Sequence, residues 1–190
     1  MNTLFNVLVF SIGLLPALAL AQTQPSPSPA PAPVSIALTP RLVIGPEIQW
    51  GEKSQTFNLV IGGLRNLEVT ADEKPMTDWQ GMTLKLGATR HENETAAYGA
   101  VLSMVGGGRK ANGIGGNFEL GFGVLGKDGQ NISVTQLGFA LGRPGSLQAG
   151  VLTQTPLYTS QKPVWFTDLQ FYLRWTFNAF TGNTVTFVQK

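Results

Sequence analysis

Residues 169 to 177 read Leu-Gln-Phe-Tyr-Leu-Arg-Trp-Thr-Phe, with Leu169, Phe171, Leu173, Trp175 and Phe177 at every second place and Gln170, Tyr172, Arg174 and Thr176 between them. Successive side chains of a β-strand point to opposite sides, so a period of two marks a strand whose two faces meet different media. The same beat returns upstream. Phe118, Leu120, Phe122 and Val124 alternate with Asn117, Glu119, Gly121 and Gly123, and Met82, Leu84, Leu86 and Ala88 alternate with Thr83, Lys85, Gly87 and Thr89. Weaker alternation marks Phe57, Leu59 and Ile61, and Leu137, Phe139 and Leu141. Spacing places three further strands around Arg41 to Trp50, Ala97 to Val105 and Leu147 to Thr155.

Turn-forming residues separate these runs at Gly51 to Ser54, Asp72 to Asp78, Arg90 to Thr95, Gly106 to Gly113, Lys127 to Gly129, Arg143 to Gly145 and Ser160 to Pro163. Seven turns joining eight evenly spaced strands predict an all-β fold, a single antiparallel up-and-down β-barrel without crossover helices. Thr181-Gly182-Asn183 could turn the chain into a ninth segment, Thr184 to Gln189, and the pattern leaves its pairing open.

Two segments precede this domain. Leu4 to Leu20 is an apolar run ending in Ala19-Leu20-Ala21, the small-x-small pattern of a signal peptidase site, which predicts a signal peptide over residues 1–21. The first six residues carry no Lys or Arg, so the terminal amine alone supplies the positive end. Residues 22–33 read QTQPSPSPAPAP and predict a Pro-rich extended linker; the barrel domain then occupies 34–190.

Composition narrows the function. Only 13% of residues are charged, the net charge is +2, and the basic residues are scattered apart from Arg109-Lys110, so nothing tracks a phosphate backbone and nucleic acid is excluded as a partner. With no cysteine there is no disulfide framework and no thiolate metal site. Most charges fall in turns, while the strand interiors hold Arg41, Lys85, Glu119 and Arg174, with Asp168 at a strand start. A soluble sheet usually carries several charges along its solvent face. Here the face opposite the apolar one is built from Gly, Thr, Asn and Gln with isolated charges of both signs, which suits a narrow lumen in which Arg41, Lys85, Glu119, Asp168 and Arg174 form an interior network. Trp50, Trp79, Tyr158 and Trp165 lie near strand ends, where interfacial aromatics belong.

In these features the chain resembles the small eight-stranded outer-membrane β-barrel proteins of diderm bacteria, over Val34 to about Phe180. The resemblance implies an outer-membrane location, membrane lipids and other envelope proteins as partners, and a structural, anchoring or envelope-complex role. Such proteins end on a strand closed by an aromatic residue that the insertion machinery reads; Trp175, Phe177 and Phe180 supply alternating aromatics, and Phe187 takes that role if a ninth strand forms. The other reading open at this point is a soluble periplasmic or secreted barrel that binds a small apolar ligand inside. It expects Leu and Phe faces around a cavity and Glu119 and Arg174 in solvent.

No catalytic, cofactor or metal site is expected. The glycine-rich segment Gly106 to Gly116 lacks the Gly-Lys-Ser/Thr of a phosphate loop and reads as a turn. His91, the one histidine, sits beside Glu92 and Glu94 in a charged turn, without the second His or Cys that a transition-metal site needs. Ser103 could approach it across the Arg90 to Thr95 hairpin, as lipid hydrolysis would need. Glu119 and Asp168 could be a glycosidase carboxylate pair, but interior partners of the Lys and Arg side chains is the preferred reading.

Overall fold

The structure, a computed structural model, describes residues 34–71, 74–92, 96–110, 113–157 and 169–189. The expected signal peptide and linker, and Tyr158, Trp165 and Asp168, lie outside the described residues. Ten antiparallel strands follow one another: β1 (Val34–Trp50), β2 (Ser54–Ala71), β3 (Lys74–His91), β4 (Ala97–Lys110), β5 (Gly116–Lys127), β6 (Gln130–Gly142), β7 (Leu147–Pro156), β8 (Leu169–Trp175), β9 (Phe177–Thr181) and β10 (Val185–Gln189). Each of the first seven pairs with the next, and β8 pairs back on β1 through Glu47↔Arg174 to Trp50↔Phe171, which closes a ring of eight. The architecture is an all-β, antiparallel, up-and-down barrel.

The register sets its dimensions. Pro40 pairs with Arg65, and the path continues through Gln80, Gly106, Phe118, Phe139, Val151 and Phe171 to arrive at Trp50, ten residues along β1 from its start. Eight strands with that stagger tilt by about 40° and hold the backbone about 8 Å from the axis. A lumen so narrow has to be filled by side chains.

Two turns follow directly from local chemistry. Lys127 and Gln130 face each other across Asp128 (φ 50°) and Gly129 (φ 79°), the two left-handed residues of a type I′ hairpin. In the β6–β7 connection Pro144 precedes Gly145 (φ 82°), the order of a type II turn, and the Ser146 hydroxyl donates to the Arg143 carbonyl at 2.8 Å.

Several strands outrun the sequence reading. β3 begins at Lys74, inside the stretch read as a turn to Asp78, and β4 continues through the glycines to Lys110, with Gly106, Gly107 and Gly108 paired to Phe118, Asn117 and Gly116. Glycine is a poor strand former, but here neighbours on both sides supply the ladder bonds, so β4 runs on to Lys110 before β5 begins at Gly116. The final segment pairs too. β9 and β10 run along the first half of β1 as broken continuations of β8, from Ile44↔Phe177 to Val34↔Gln189.

The breaks have a cause in β1. Thr176, between β8 and β9, falls opposite Gly45-Pro46, and Gly182 to Thr184, between β9 and β10, fall opposite Thr39-Pro40. The Pro40 carbonyl accepts from Gly182 N–H, so the side of β1 from which Pro40 lacks a donor faces this closing edge, and Pro46, six residues on, points the same way. Thr176 turns its N–H to the Ser146 carbonyl instead, and its hydroxyl accepts from Gly145 N–H at 2.9 Å.

Because β10 pairs only with β1, outside the ring, a chain ending at Gly182 should keep the β-sheet circular-dichroism spectrum of the full chain and melt at a lower temperature. Loss of the whole spectrum on this truncation would mean that β10 is needed for closure.

Candidate functional site

Along every strand of the ring the apolar series points outward. Phe118, Phe171 and Trp175 are 50%, 59% and 64% exposed, whereas Glu119, Tyr172 and Arg174, their neighbours in sequence, are each 2% exposed. The inner face also carries Val43, Val60, Leu64, Val101, Val105, Val134 and Leu152, so the lumen is a mixed core, more apolar than the sequence pattern suggests. These residues occupy the inward phase of strands whose outward phase is equally apolar, and that blurs the alternation.

Four charges meet in the middle of this core. Lys85 on β3 and Arg174 on β8 each bridge Glu47 on β1 and Glu119 on β5. Lys85 Nζ lies 2.7 Å from Glu119 Oε1 and 3.6 Å from Glu47 Oε1. Arg174 donates through Nη2 to Glu119 Oε2 and through Nε to Glu47 Oε2, both at 2.7 Å. Glu47 Oε1 also accepts from Gln49 Nε2 at 2.6 Å and Asn58 Nδ2 at 2.9 Å. Both cations lie over the Tyr172 ring, Arg174 at 5.1 Å and Lys85 at 5.7 Å from its centroid. The group is neutral in sum, and each carboxylate touches two cations. That pairing offsets the desolvation of burying four ions.

Glycines make the room. At Gly121 a Cβ would press into Ser103 and Val101. At Gly87 it would strike the Phe57 carbonyl and the Asn58 amide, the same amide that bonds Glu47. Above the cluster a cavity of about 20 Å³ is lined by Gln49, Asn58, Lys85 and Gln136 together with Val101 and Leu125, among others.

Of the five interior charges expected from sequence, Lys85, Glu119 and Arg174 are brought together. Arg41 faces inward but sits six residues from Glu47 along β1; its guanidinium donates to the Asn66 side-chain oxygen at 3.2 Å, with the amide turned to accept. Glu47 was missed. Its parity carries a signal, since Leu42, Ile44, Ile48 and Trp50 take the other phase, but Gly45-Pro46 obscures the strand. Trp50 is half-exposed at the end of β1. Trp79 is a correction: it is 3% exposed and faces inward, because it shares the phase of Thr83 and Lys85 on an unbroken β3. Ser103 is buried at mid-strand opposite Thr83, eight residues from His91 along β3, or about 26 Å, so the two do not meet. Among the described residues no cluster of His, Cys, Asp and Glu has metal-binding geometry.

No family model matches the chain, and no curated protein matches it.

Replacing Arg174 by Met leaves two buried carboxylates to one cation and should cost about 3 to 5 kcal/mol in denaturant unfolding. In a double-mutant cycle, Lys85→Met with Glu119→Gln should cost less than the sum of the single variants. Additive costs would mean that the two side chains are not coupled.

Proposed function

We propose that this protein is a small outer-membrane β-barrel whose role is structural: an anchor, or a subunit of an envelope complex. The observation that carries the reading is the outer face. From Arg65 and Asp78 at one end to Glu52, Lys53 and Arg90 at the other, every outward strand position among the described residues is uncharged, and most are Leu, Phe, Met, Ile or Val. On β2 this stretch runs from Arg65 to Gln55, which at the barrel's tilt is a band about 25 Å tall, the height of the apolar belt of membrane barrels.

An exterior of this kind in water would be a contiguous apolar patch far larger than soluble monomers carry. The competing reading, a soluble barrel with an apolar ligand inside, calls for a cavity the size of a ligand, and the space above the ion cluster, about 20 Å³, has room for about one water. Supporting the envelope-complex part of the proposal, β1, β2, β3 and β10 extend beyond the ring with Ile36, Leu38, Leu67, Val69, Met76 and Phe187 on the outward phase. With its lumen filled by side chains, the barrel offers no open pore.

The test is fractionation. After carbonate extraction of cell envelopes the protein should stay in the pellet, and it should migrate differently on a detergent gel before and after boiling. Recovery in the soluble fraction, with no mobility change, would favour the ligand-binding reading.

Two further outcomes are expected. Leu120 faces outward near mid-band, so Leu120→Arg should lower folding stability in vesicles by about 2 to 4 kcal/mol. The purified protein in planar bilayers should show no steady ion conductance, which single-channel recording checks.

A further inference from the structure

The outer belt is not uniform. Gly106, Gly108, Gly116 and Ala149 face outward on β4, β5 and β7, among strands that elsewhere present Met, Phe and Leu. The Phe118 ring leans over Gly106, so close that a Cβ there would lie 2.9 Å from it, and open grooves flank this ring. One, of about 620 Å³, runs over Gly106, Gly116 and Ala149 between Phe118, Phe139 and Leu141. The other, of about 730 Å³, is bounded by Met82, Met104 and Gly106 and ends at Arg65, Asp78 and Gln80.

Arg65 pairs with Gln80, and Asp78 with Leu67, so Arg65 and Asp78 are diagonal neighbours on the outer face, about 7 Å apart. Neither has an ion-pair partner among the described residues. The Asp78 carboxylate lies over Gly108, where no side chain displaces it. An unpaired cation and an unpaired anion thus stand side by side where an otherwise uncharged belt ends, beneath two apolar grooves parted by one aromatic ring.

We propose that this patch binds one diacyl phospholipid with a phosphoethanolamine headgroup. Its phosphate takes the Arg65 guanidinium, its ammonium takes the Asp78 carboxylate, and its two acyl chains lie in the grooves on either side of Phe118. A purely anionic headgroup would meet Asp78 as a like charge, and a quaternary ammonium could not donate a hydrogen bond to it. The site rests on the membrane-barrel reading.

The test refolds the full chain into vesicles of equal parts phosphatidylethanolamine, phosphatidylcholine and phosphatidylglycerol. Insertion is scored by the boiling-dependent gel shift, and the lipids retained after mild detergent extraction are read by native mass spectrometry. One phosphatidylethanolamine should remain per barrel, enriched about fivefold over the bulk ratio, the size expected of the one charge pair, ammonium to Asp78, that the other two lipids cannot make well. Asp78→Asn should bring the retained lipid back towards the bulk ratio, and Arg65→Gln, which removes the contact to the phosphate that all three lipids share, should lower the amount of lipid retained per barrel. Gly116→Leu, whose Cβ would have only the Ala140 carbonyl nearby at 3.8 Å, should fold normally and reduce retention by filling a groove. Insertion with lipids at the bulk ratio would overturn the site and leave the barrel reading standing. Enrichment of phosphatidylglycerol that is indifferent to Asp78→Asn would also overturn it, in favour of an anionic lipid on a lone cation. A chain that does not insert would overturn both.

Discussion

Sheet closure with a stagger of ten residues is the constraint from which the rest follows. It leaves a narrow lumen, and the sequence fills it with opposite charges, amides, a tyrosine ring and a few aliphatic residues. Glu47, Lys85, Glu119 and Arg174 come from four different strands, so the cluster connects opposite walls of the ring. An apolar core of equal volume could be as stable or more so. What the charges add is registration: Arg174 satisfies both glutamates only when β8 meets β1 at Glu47↔Arg174, and a slip of one residue would turn its guanidinium to the outer face.

The inward placement of charge and the outward placement of bulk are one arrangement seen from two sides. In a strand that alternates, each ion taken into the lumen leaves an apolar neighbour on the exterior. Glu119 lies between Phe118 and Leu120, and Arg174 between Leu173 and Trp175. The interior cluster and the uncharged belt therefore share a sequence origin, and under the proposed function each has a use: the belt meets hydrocarbon while the cluster closes the lumen.

Much of this was legible because period two survives almost any context. The three clear strands carry their inner and outer faces as read, and Lys85, Glu119 and Arg174 fall on the inner one. The misses have two causes. Gathered Gly and Asp read as turns at Asp72 to Asp78 and Gly106 to Gly113, although neighbouring strands hold such residues in the ladder when both sides are paired. Ending β3 early puts Trp79 at a strand end and so on the wrong face, whereas Arg41 to Trp50 is placed by spacing alone, which assigns no face to Glu47. Arg41 has the right face but the wrong height, which only the stagger between strands determines.

Pro40 and Pro46 leave the join between the two ends of the sheet as its most interrupted line. Along it β1 meets β8, β9 and β10 in three separate runs of four, four and five register pairs, against one unbroken run of sixteen between β1 and β2, and the residues joined are more than a hundred positions apart in the chain. Loop-closure entropy makes such distant pairings the last to form. The barrel is in effect a curled hairpin ladder held shut by a latch, and Glu47 with Arg174 is the buried catch on it.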